Sequence, residues 1–375
     1  MTPTRRQDPP AGTAHTALGD PQEPAAAPLA AAVRAVDAPD VVFAYSRHGR
    51  RTVVCGGTGP PPPGGREHLR YEIGSASKVF TGLLLADQIL RHAVDAAQPA
   101  ADLLATADGP TGAGRQAGAG PGAVTLTHLV THTSGLPRLP HGFYPQALPR
   151  WSTQPYAGYG TARLVGAFLR ARPPHRPGTR WRYSNFGVSV LGHALGAAAG
   201  CRWEDLLTRQ VLRPLSLDGT GLHPQEPTGH DPFGRDPFGR DAVGRRADGV
   251  RVVPGLEAGG FGPAGAVRAT PGDLLTFLEA HADPAGSPLE AALAAVGHPV
   301  LRRGGRQREE HTLTWFRHPG AAGPFCFHAG ATSGQQAFLG FQPATGTALA
   351  AVCTRRFRRG DALVAGAYAL LAAQS

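Results

Sequence analysis

Short apolar runs near the two ends of this chain predict β-strands. Residues 41–45 and 51–55 flank His48-Gly49, a combination that is typical of a β-hairpin. Near the C-terminus, three more apolar runs are joined by glycine-containing turns. These runs are residues 325–330, 335–341 and 348–354. We therefore expect one antiparallel sheet of five strands, built from both ends of the chain.

Helical patterns lie outside and between these strands. Residues 28–37 and 361–373 are predicted to be terminal helices packed on the sheet, which makes the fold class α+β. The middle of the chain, roughly residues 80–315, is expected to form a mostly helical lobe. Residues 1–26 are rich in Pro, Ala, Thr and Gln without an apolar core, so we expect a disordered tail before one domain at 27–375.

A short strand, a turn at Gly74 and a buried apolar helix are predicted for residues 71–90. Ser75 occupies a position typical of a helix start, and Lys78 lies three residues later, on the same face. The positive end of the helix and burial both favour the neutral form of Lys78. A neutral amine could accept the proton of Ser75 and make Ser75 a nucleophile.

Composition strengthens this interpretation of Lys78. The chain has 37 Lys plus Arg residues, and Lys78 is the only lysine among them. A surface cation could have been arginine, as it is everywhere else in this chain. Arginine cannot act as a base because it is not deprotonated in proteins. The alternative, an ordinary solvated cation on a helix, is therefore the weaker hypothesis.

Two further segments carry candidate chemistry. Tyr183 and Asn185, which is the only asparagine, follow a Pro-Gly turn and could supply a proton relay and a carboxamide to one cleft. His328 and Gly330 lie in a strand near the C-terminus, where Gly330 permits close approach of a ligand or of backbone. The backbone N–H of Ala331 could then join that of Ser75 in an oxyanion hole. Taken singly, the first segment is equally consistent with a buried tyrosine beside a helix cap, and the second with a plain hairpin.

Charge and cysteine content exclude several other classes. The net charge is +10 and the sequence pI about 10.2, but the arginines are scattered and no nucleic-acid-binding module is recognisable. No metal site or cofactor is expected, although His128 and His132 are four residues apart, which is a metal-like spacing on a helix. The four cysteines lack metal-binding spacing and are expected to be reduced. Arg5-Arg6 precedes no apolar segment and no long apolar stretch follows, so we expect a cytoplasmic protein without membrane contact.

Together, Ser75-Ala-Ser-Lys78, Tyr183-Ser-Asn185 and His328-Ala-Gly330 resemble the serine β-lactamase and penicillin-binding-protein superfamily, in its class C β-lactamase-related, esterase-type branch. Residues 125–137, 203–222 and 262–278 resemble the same branch. The resemblance implies the β-lactamase/transpeptidase-like fold, with a cleft between lobes that holds the three motifs. It also implies an acyl-enzyme on Ser75, with Lys78 and Tyr183 sharing proton transfer and with Asn185, His328 and Gly330 contacting the substrate.

The resemblance leaves the reaction open among related types. We expect an esterase-type serine hydrolase acting on a small ester, amide or lactam. An acyltransferase or amide synthase, a β-lactamase, a D-amino-acid peptidase, or a ligand sensor without activity are the alternatives. The third motif in enzymes specialised for β-lactams is usually Lys-Thr-Gly, and here the cation and the hydroxyl are replaced by His328 and Ala329. Weaker binding of carboxylate-bearing β-lactams is therefore expected. The oligomeric state is not predictable from these patterns.

Overall fold

The structure, a computed structural model, describes residues 13–20, 22–107, 122–224, 241–304 and 309–373. Its strands are β1 Thr13–Leu18, β2 Val41–Arg47, β3 Arg50–Gly57, β4 Tyr71–Glu72, β5 Thr220–Gly221, β6 Arg268–Ala269, β7 Leu301–Arg303, β8 Glu309–His311, β9 Phe316–His318, β10 Phe325–Ala331, β11 Gln336–Gln342 and β12 Thr347–Cys353. Its α-helices are α1 Ala26–Ala35, α2 Lys78–Leu90, α3 Ala100–Ala107, α4 Leu126–Val130, α5 Phe143–Ala147, α6 Thr161–Leu169, α7 Asn185–Ala198, α8 Trp203–Leu207, α9 Gly262–Gly265, α10 Pro271–Ala282, α11 Glu290–Val296 and α12 Ala362–Ala373.

The main sheet is antiparallel, with strand order β1-β3-β2-β12-β11-β10-β9-β8-β7. The α+β class and the five central strands are confirmed, but the predicted strand number is wrong, because the sheet has nine strands. Strands β7 to β9 have three residues each and are rich in charge, so they lack the apolar runs that reveal the other strands. Cross-strand ion pairs hold them together, among them Arg303 with Glu309 at 2.8 Å and Arg302 with Glu310 at 3.0 Å.

One of the nine strands, β1, lies in the segment predicted to be a disordered tail. Strand β1 pairs with β3 in antiparallel register, from Thr13 opposite Gly57 to Leu18 opposite Val53. The prediction of disorder is therefore wrong for β1, while residues 1–12 lie outside the described part of the chain. Strand β1 is short and has few apolar residues. Backbone hydrogen bonds to the edge strand β3, and not apolar side chains, therefore hold β1 in the sheet.

Both faces of the main sheet are buried at its central strands β2, β11 and β12. Alternate residues of β2 point to opposite sides: Val41 and Phe43 pack with α1 and α12, whereas Val42 and Ala44 pack with the larger core. This two-sided burial explains why the central strands are continuous apolar runs. The terminal helices lie on the outer face as predicted, and α10 contacts the inner face through β2, β11 and β12.

The helices between α2 and α11 form the second lobe. The helical lobe was expected to cover about residues 80–315, and this range is too long at its C-terminal end. Strands β7 to β9, which begin at Leu301, belong to the main sheet. A small sheet with order β4-β6-β5 sits where the two lobes meet. Since β4 leads directly into the turn at Gly74, this small sheet fixes the start of α2.

Candidate active site

Ser75 lies in a 3₁₀ turn, Gly74–Ser77, that runs into α2. Gly74 has a φ of 50°, a left-handed conformation that favours glycine. A Cβ at Gly74 would lie 2.6 Å from the carbonyl oxygen and 2.8 Å from the nitrogen of Ala331. The absence of a side chain at Gly74 therefore lets the end of β10 pack directly against the turn.

Gly330 makes the matching approach from the strand side. A Cβ there would lie 1.9 Å from the carbonyl oxygen of Ile73, 2.9 Å from the nitrogen of Ser75 and 2.7 Å from that of Ala76. These contacts involve only backbone atoms, so no side-chain movement could relieve them. The two glycines thus bring the backbones of Ser75 and Ala331 together, which is the juxtaposition expected from the sequence. The sequence pattern indicates Gly74 only as a turn residue, without its contact to Ala331.

Lys78 is completely buried at the start of α2. Its Nζ donates a 2.9 Å hydrogen bond to the carbonyl oxygen of Ala264 in α9. Burial, and then the nearby Arg138 guanidinium, hold the pKa of Lys78 well below its usual value. The lowered pKa favours the neutral amine. The backbone carbonyl of Ala264, which the sequence alone did not identify, orients this amine.

Tyr183 lies directly beside this amine. Its ring centroid is 5.0 Å from Nζ of Lys78, and its phenol is hydrogen-bonded to the side chain of Ser75. Burial raises the pKa of Tyr183 to about 12, although the hydrogen bond with Ser75 and the charge of Arg138 oppose this rise. The phenol is thus protonated at neutral pH. The structure brings Ser75, Lys78 and Tyr183 into one cluster.

The loop around His132 positions Tyr183. His132 has a φ of 60°, and its Nδ1 accepts a 3.2 Å hydrogen bond from the backbone N–H of Ser184. The His132 ring lies 4.5 Å from that of Tyr183. Ser184 in turn caps α7 by accepting from the N–H of Gly187 at 2.8 Å. The alternative of a buried tyrosine beside a helix cap therefore describes the local structure correctly, and it coexists with the contact to Ser75.

The two histidines with metal-like spacing have separate structural contacts. Nδ1 of His128 accepts from the N–H of Thr125 at 3.2 Å in a capping box at the start of α4. His132 accepts from Ser184, as described above. Within the described ranges, no group of three or more His, Cys, Asp or Glu side chains is arranged to hold a metal ion.

Asn185 is the first residue of α7 and lines the cleft. Its Nδ2 donates to the Tyr156 hydroxyl at 3.3 Å. Its Oδ1 is buried and has no hydrogen-bond partner. A buried acceptor without a partner is costly, so this oxygen is suited to accept a hydrogen bond from a ligand.

His328 does not face the open cleft as a substrate-binding residue would. Its side chain is buried against Phe316, with ring centroids 5.3 Å apart, and its Nδ1 donates to the Ala329 carbonyl oxygen at 2.8 Å. Burial, followed by the proximity of Lys78, lowers the pKa of His328 to about 3. The ring is therefore neutral, as expected, but the structure assigns it to the packing behind Lys78.

The cleft beside Ser75 has a volume of about 380 Å³, within the range of roughly 300–1,000 Å³ that is usual for small-molecule sites. Ser75, Asn185 and Ala331 line it together with Arg138, which sequence reasoning missed. Arg138 directly follows the loop that holds Tyr183, and its guanidinium carbon lies 5.9 Å from the Tyr183 ring centroid. One arginine among many in this chain carried no distinguishing signal.

Comparison with known proteins identifies the family of this chain. The sequence model of the family described as Beta-lactamase matches residues 10–374. A Beta-lactamase of Pseudomonas fluorescens is 25% identical over 344 residues, covering 82% of this chain and 85% of that protein. A D-alanyl-D-alanine-carboxypeptidase/endopeptidase AmpH of Escherichia coli K12 is 35% identical over 104 residues, which are 27% of this chain and 25% of that protein.

Solved structures show the same fold. A class C β-lactamase from Rhodobacter sphaeroides superposes with a TM-score of 0.70 at 22% identity, covering 92% of this chain and 97% of that one. A β-lactamase from Sulfitobacter sp. EE-36 gives a TM-score of 0.71 at 20% identity, covering 92% and 94%. The chain belongs to the Beta-lactamase family. Family and fold together support a serine hydrolase of the β-lactamase and penicillin-binding-protein type.

The described helices include none that combines the length and apolar character needed to cross a bilayer. All four cysteines are free. They are Cys55, Cys201, Cys326 and Cys353.

Proposed function

We propose that this protein hydrolyses small esters or amides through an acyl-enzyme formed on Ser75. The observation that carries the proposal is the cluster of a hydroxyl, a buried amine and a phenol. Ser75 is hydrogen-bonded to Tyr183, and the Tyr183 ring lies 5.0 Å from the Lys78 nitrogen. Such a cluster can move the serine proton without placing a net charge in the buried site.

In the acylation step, Ser75 Oγ attacks the substrate carbonyl carbon and its proton passes to the amine of Lys78, directly or through the phenol of Tyr183. Lys78 is the group available to accept the proton, because burial lowers its pKa and favours the unprotonated amine, whereas burial raises the pKa of Tyr183 and keeps the phenol protonated. Tyr183 keeps its proton at neutral pH and so acts as a relay. The same proton is then delivered to the leaving alcohol or amine.

The oxygen of the tetrahedral intermediate needs donors that are already in place. We assign this role to the backbone N–H groups of Ser75 and Ala331, which the close approach at Gly74 and Gly330 brings together. Water then attacks the acyl carbon and gives one proton to Lys78, directly or through Tyr183. That proton returns to Ser75 Oγ as the bond between Oγ and the acyl carbon breaks and the acid leaves. None of these steps requires a metal or an organic cofactor.

Hydrolysis of β-lactams is the second candidate, favoured by the similarity to a Pseudomonas fluorescens Beta-lactamase over most of both chains. Replacement of the usual Lys-Thr-Gly by His328-Ala329-Gly330 speaks against it. The buried, neutral His328 offers no cation to a substrate carboxylate, and Ala329 offers no hydroxyl. Two lost charge-assisted contacts would weaken carboxylate-bearing lactams by about a hundredfold or more. Transfer of the acyl group to an alcohol or amine instead of water is a variant of the same mechanism.

The deciding experiment compares kcat/KM for a p-nitrophenyl ester of a short acid with kcat/KM for a chromogenic cephalosporin. We expect the ester to be preferred, and preference for the cephalosporin would replace the esterase assignment by β-lactam hydrolysis. Intact-mass spectrometry should show one acyl group on the wild-type chain and none on Ser75→Ala. Acyl labelling that persists in Ser75→Ala would contradict the nucleophile assignment. Adding a competing alcohol or amine and analysing the products separates hydrolysis from acyl transfer.

A further inference from the structure

Five aromatic side chains form one side of the cleft that contains Ser75, and we call them the aromatic wall. They are Phe143, Tyr144, Trp151, Tyr156 and Phe261. The inner rings of this wall pack on one another, and the outer rings are exposed to solvent.

The base of the aromatic wall is a packed cluster. Phe143 is fully buried, and its ring centroid lies 5.5 Å from that of Tyr156 and 5.4 Å from that of Phe261. The ring centroids of Tyr156 and Phe261 are 4.9 Å apart. The Tyr156 hydroxyl accepts a hydrogen bond from Asn185, next to the catalytic cluster. The wall is therefore continuous with the floor of the cleft beside Ser75.

The outer part of the aromatic wall is exposed. Tyr144 and Trp151 have ring centroids 5.8 Å apart, and 50% and 43% of their surfaces are accessible to solvent. Two large exposed aromatic rings that lie side by side at a cleft form an apolar surface, and covering this surface with a ligand is favourable. Both rings line the same cavity as Ser75, so a bound substrate is placed to provide that cover.

The segment that carries the exposed rings is held in place from both sides. Helix α5 is anchored by the buried side chains of Phe143 and Ala147. Beyond it, Gln154 donates to the carbonyl oxygen of Gly255 and accepts from the N–H of Glu257 at 2.9 Å, which ties the segment to the opposite rim of the cleft. The aromatic wall is thus formed before a ligand binds, which reduces the entropy lost on binding.

Resting on the proposed function, we propose that the aromatic wall is a substrate subsite for an aromatic or medium-chain aliphatic group, and that Tyr144 and Trp151 determine this specificity. The group is attached to the carbonyl that Ser75 attacks, on either its acyl side or its alcohol side. Two ester series separate these sides: acyl groups from acetyl to octanoyl and phenylacetyl on one leaving group, and aliphatic and benzyl alcohols on one acyl group.

In one of the two series, kcat/KM relative to the rate of alkaline hydrolysis should rise about two- to fourfold per methylene until the cleft is filled. Trp151→Ala should lower the value for the phenylacetyl or benzyl ester about three- to tenfold while changing that for the smallest ester much less. Leu148→Ala is the matched control, because Leu148 is 66% exposed in the same segment but does not line the cavity. A flat profile in both series, or equal effects of the two variants, would overturn the proposal.

Binding without turnover separates this proposal from the proposed function. Ser75→Ala cannot form an acyl-enzyme, so titrating it calorimetrically with the intact benzyl or phenylacetyl ester measures the subsite alone. Tighter binding than that of the smallest ester, lost in Ser75→Ala/Trp151→Ala, supports the subsite even if no ester is turned over. Efficient hydrolysis of the smallest ester with no such difference in affinity leaves the esterase assignment standing and refutes the subsite.

Discussion

The closeness of Gly330 to the Ser75 turn makes Gly330→Ala a sharp test of the proposed oxyanion hole. The added Cβ would lie 1.9 Å from the carbonyl oxygen of Ile73, whereas ordinary van der Waals contact begins at 3.4 Å, so the strand must move by about 1.5 Å. The neighbouring atoms are backbone atoms of the turn and cannot rotate away. The displacement falls on the nitrogen of Ala331, the next residue in β10.

An oxyanion donor works at about 2.7–3.1 Å, so a shift of this size removes the Ala331 N–H from the site. Loss of one such donor lowers kcat by about 10²–10³. Since the contact is made mainly in the transition state, KM should change little. Forcing a methyl group into close-packed backbone should also cost about 1–3 kcal/mol of unfolding free energy.

The assay measures kcat and KM with a p-nitrophenyl ester, alongside the urea midpoint of unfolding. Gly366→Ala is the control, because Gly366 lies in helix α12, has no atom within 4 Å of its added Cβ and does not require a left-handed backbone. That variant should keep full activity and gain a few tenths of a kcal/mol or more in stability. A kcat for Gly330→Ala within about threefold of the wild type, or a loss of stability alone, would refute the proposed role of the Ala331 N–H.

Three further outcomes follow from the site and from the free cysteines. Lys78→Arg and Lys78→Met should both abolish turnover, since neither offers a neutral amine. Lys78→Met should be at least as stable as the wild type, because it buries no ionisable group. A kcat near that of the wild type for Lys78→Arg would contradict the assignment of Lys78 as the base. The positive charge of Arg138 lowers the pKa of Lys78, so Arg138→Gln should raise that pKa and shift the acid limb of the kcat/KM–pH profile to higher pH. The same change at Arg213, which is exposed and lies outside the cleft, should leave the acid limb where it is in the wild type. Because all four cysteines are free, every thiol should react after denaturation without reductant. A disulfide found in protein from its native source would argue for export.

The sequence determined most of the central architecture. The hairpin β2-β3, strands β10 to β12 and the terminal helices were predictable because their apolar residues are buried on both faces of the sheet, which produces strong local patterns. Ser75 and Lys78 were also identifiable, since a helix start and a single lysine in an arginine-rich chain are local, visible features. The outer strands β1 and β7 to β9 were not, because backbone pairing and ion pairs hold them in place.

Only the tertiary structure decided how the site is assembled. The sequence indicates that Gly330 permits a close approach, but its contact with the Ser75 turn joins residues more than 250 positions apart, so the tertiary structure alone fixes the distances. The carbonyl of Ala264 that aims Lys78, and the charge of Arg138 beside Tyr183, are likewise contacts between segments with ordinary composition. The depressed pKa of Lys78 was foreseeable in direction, but its main cause, complete burial, depends on the packing of both lobes around α2.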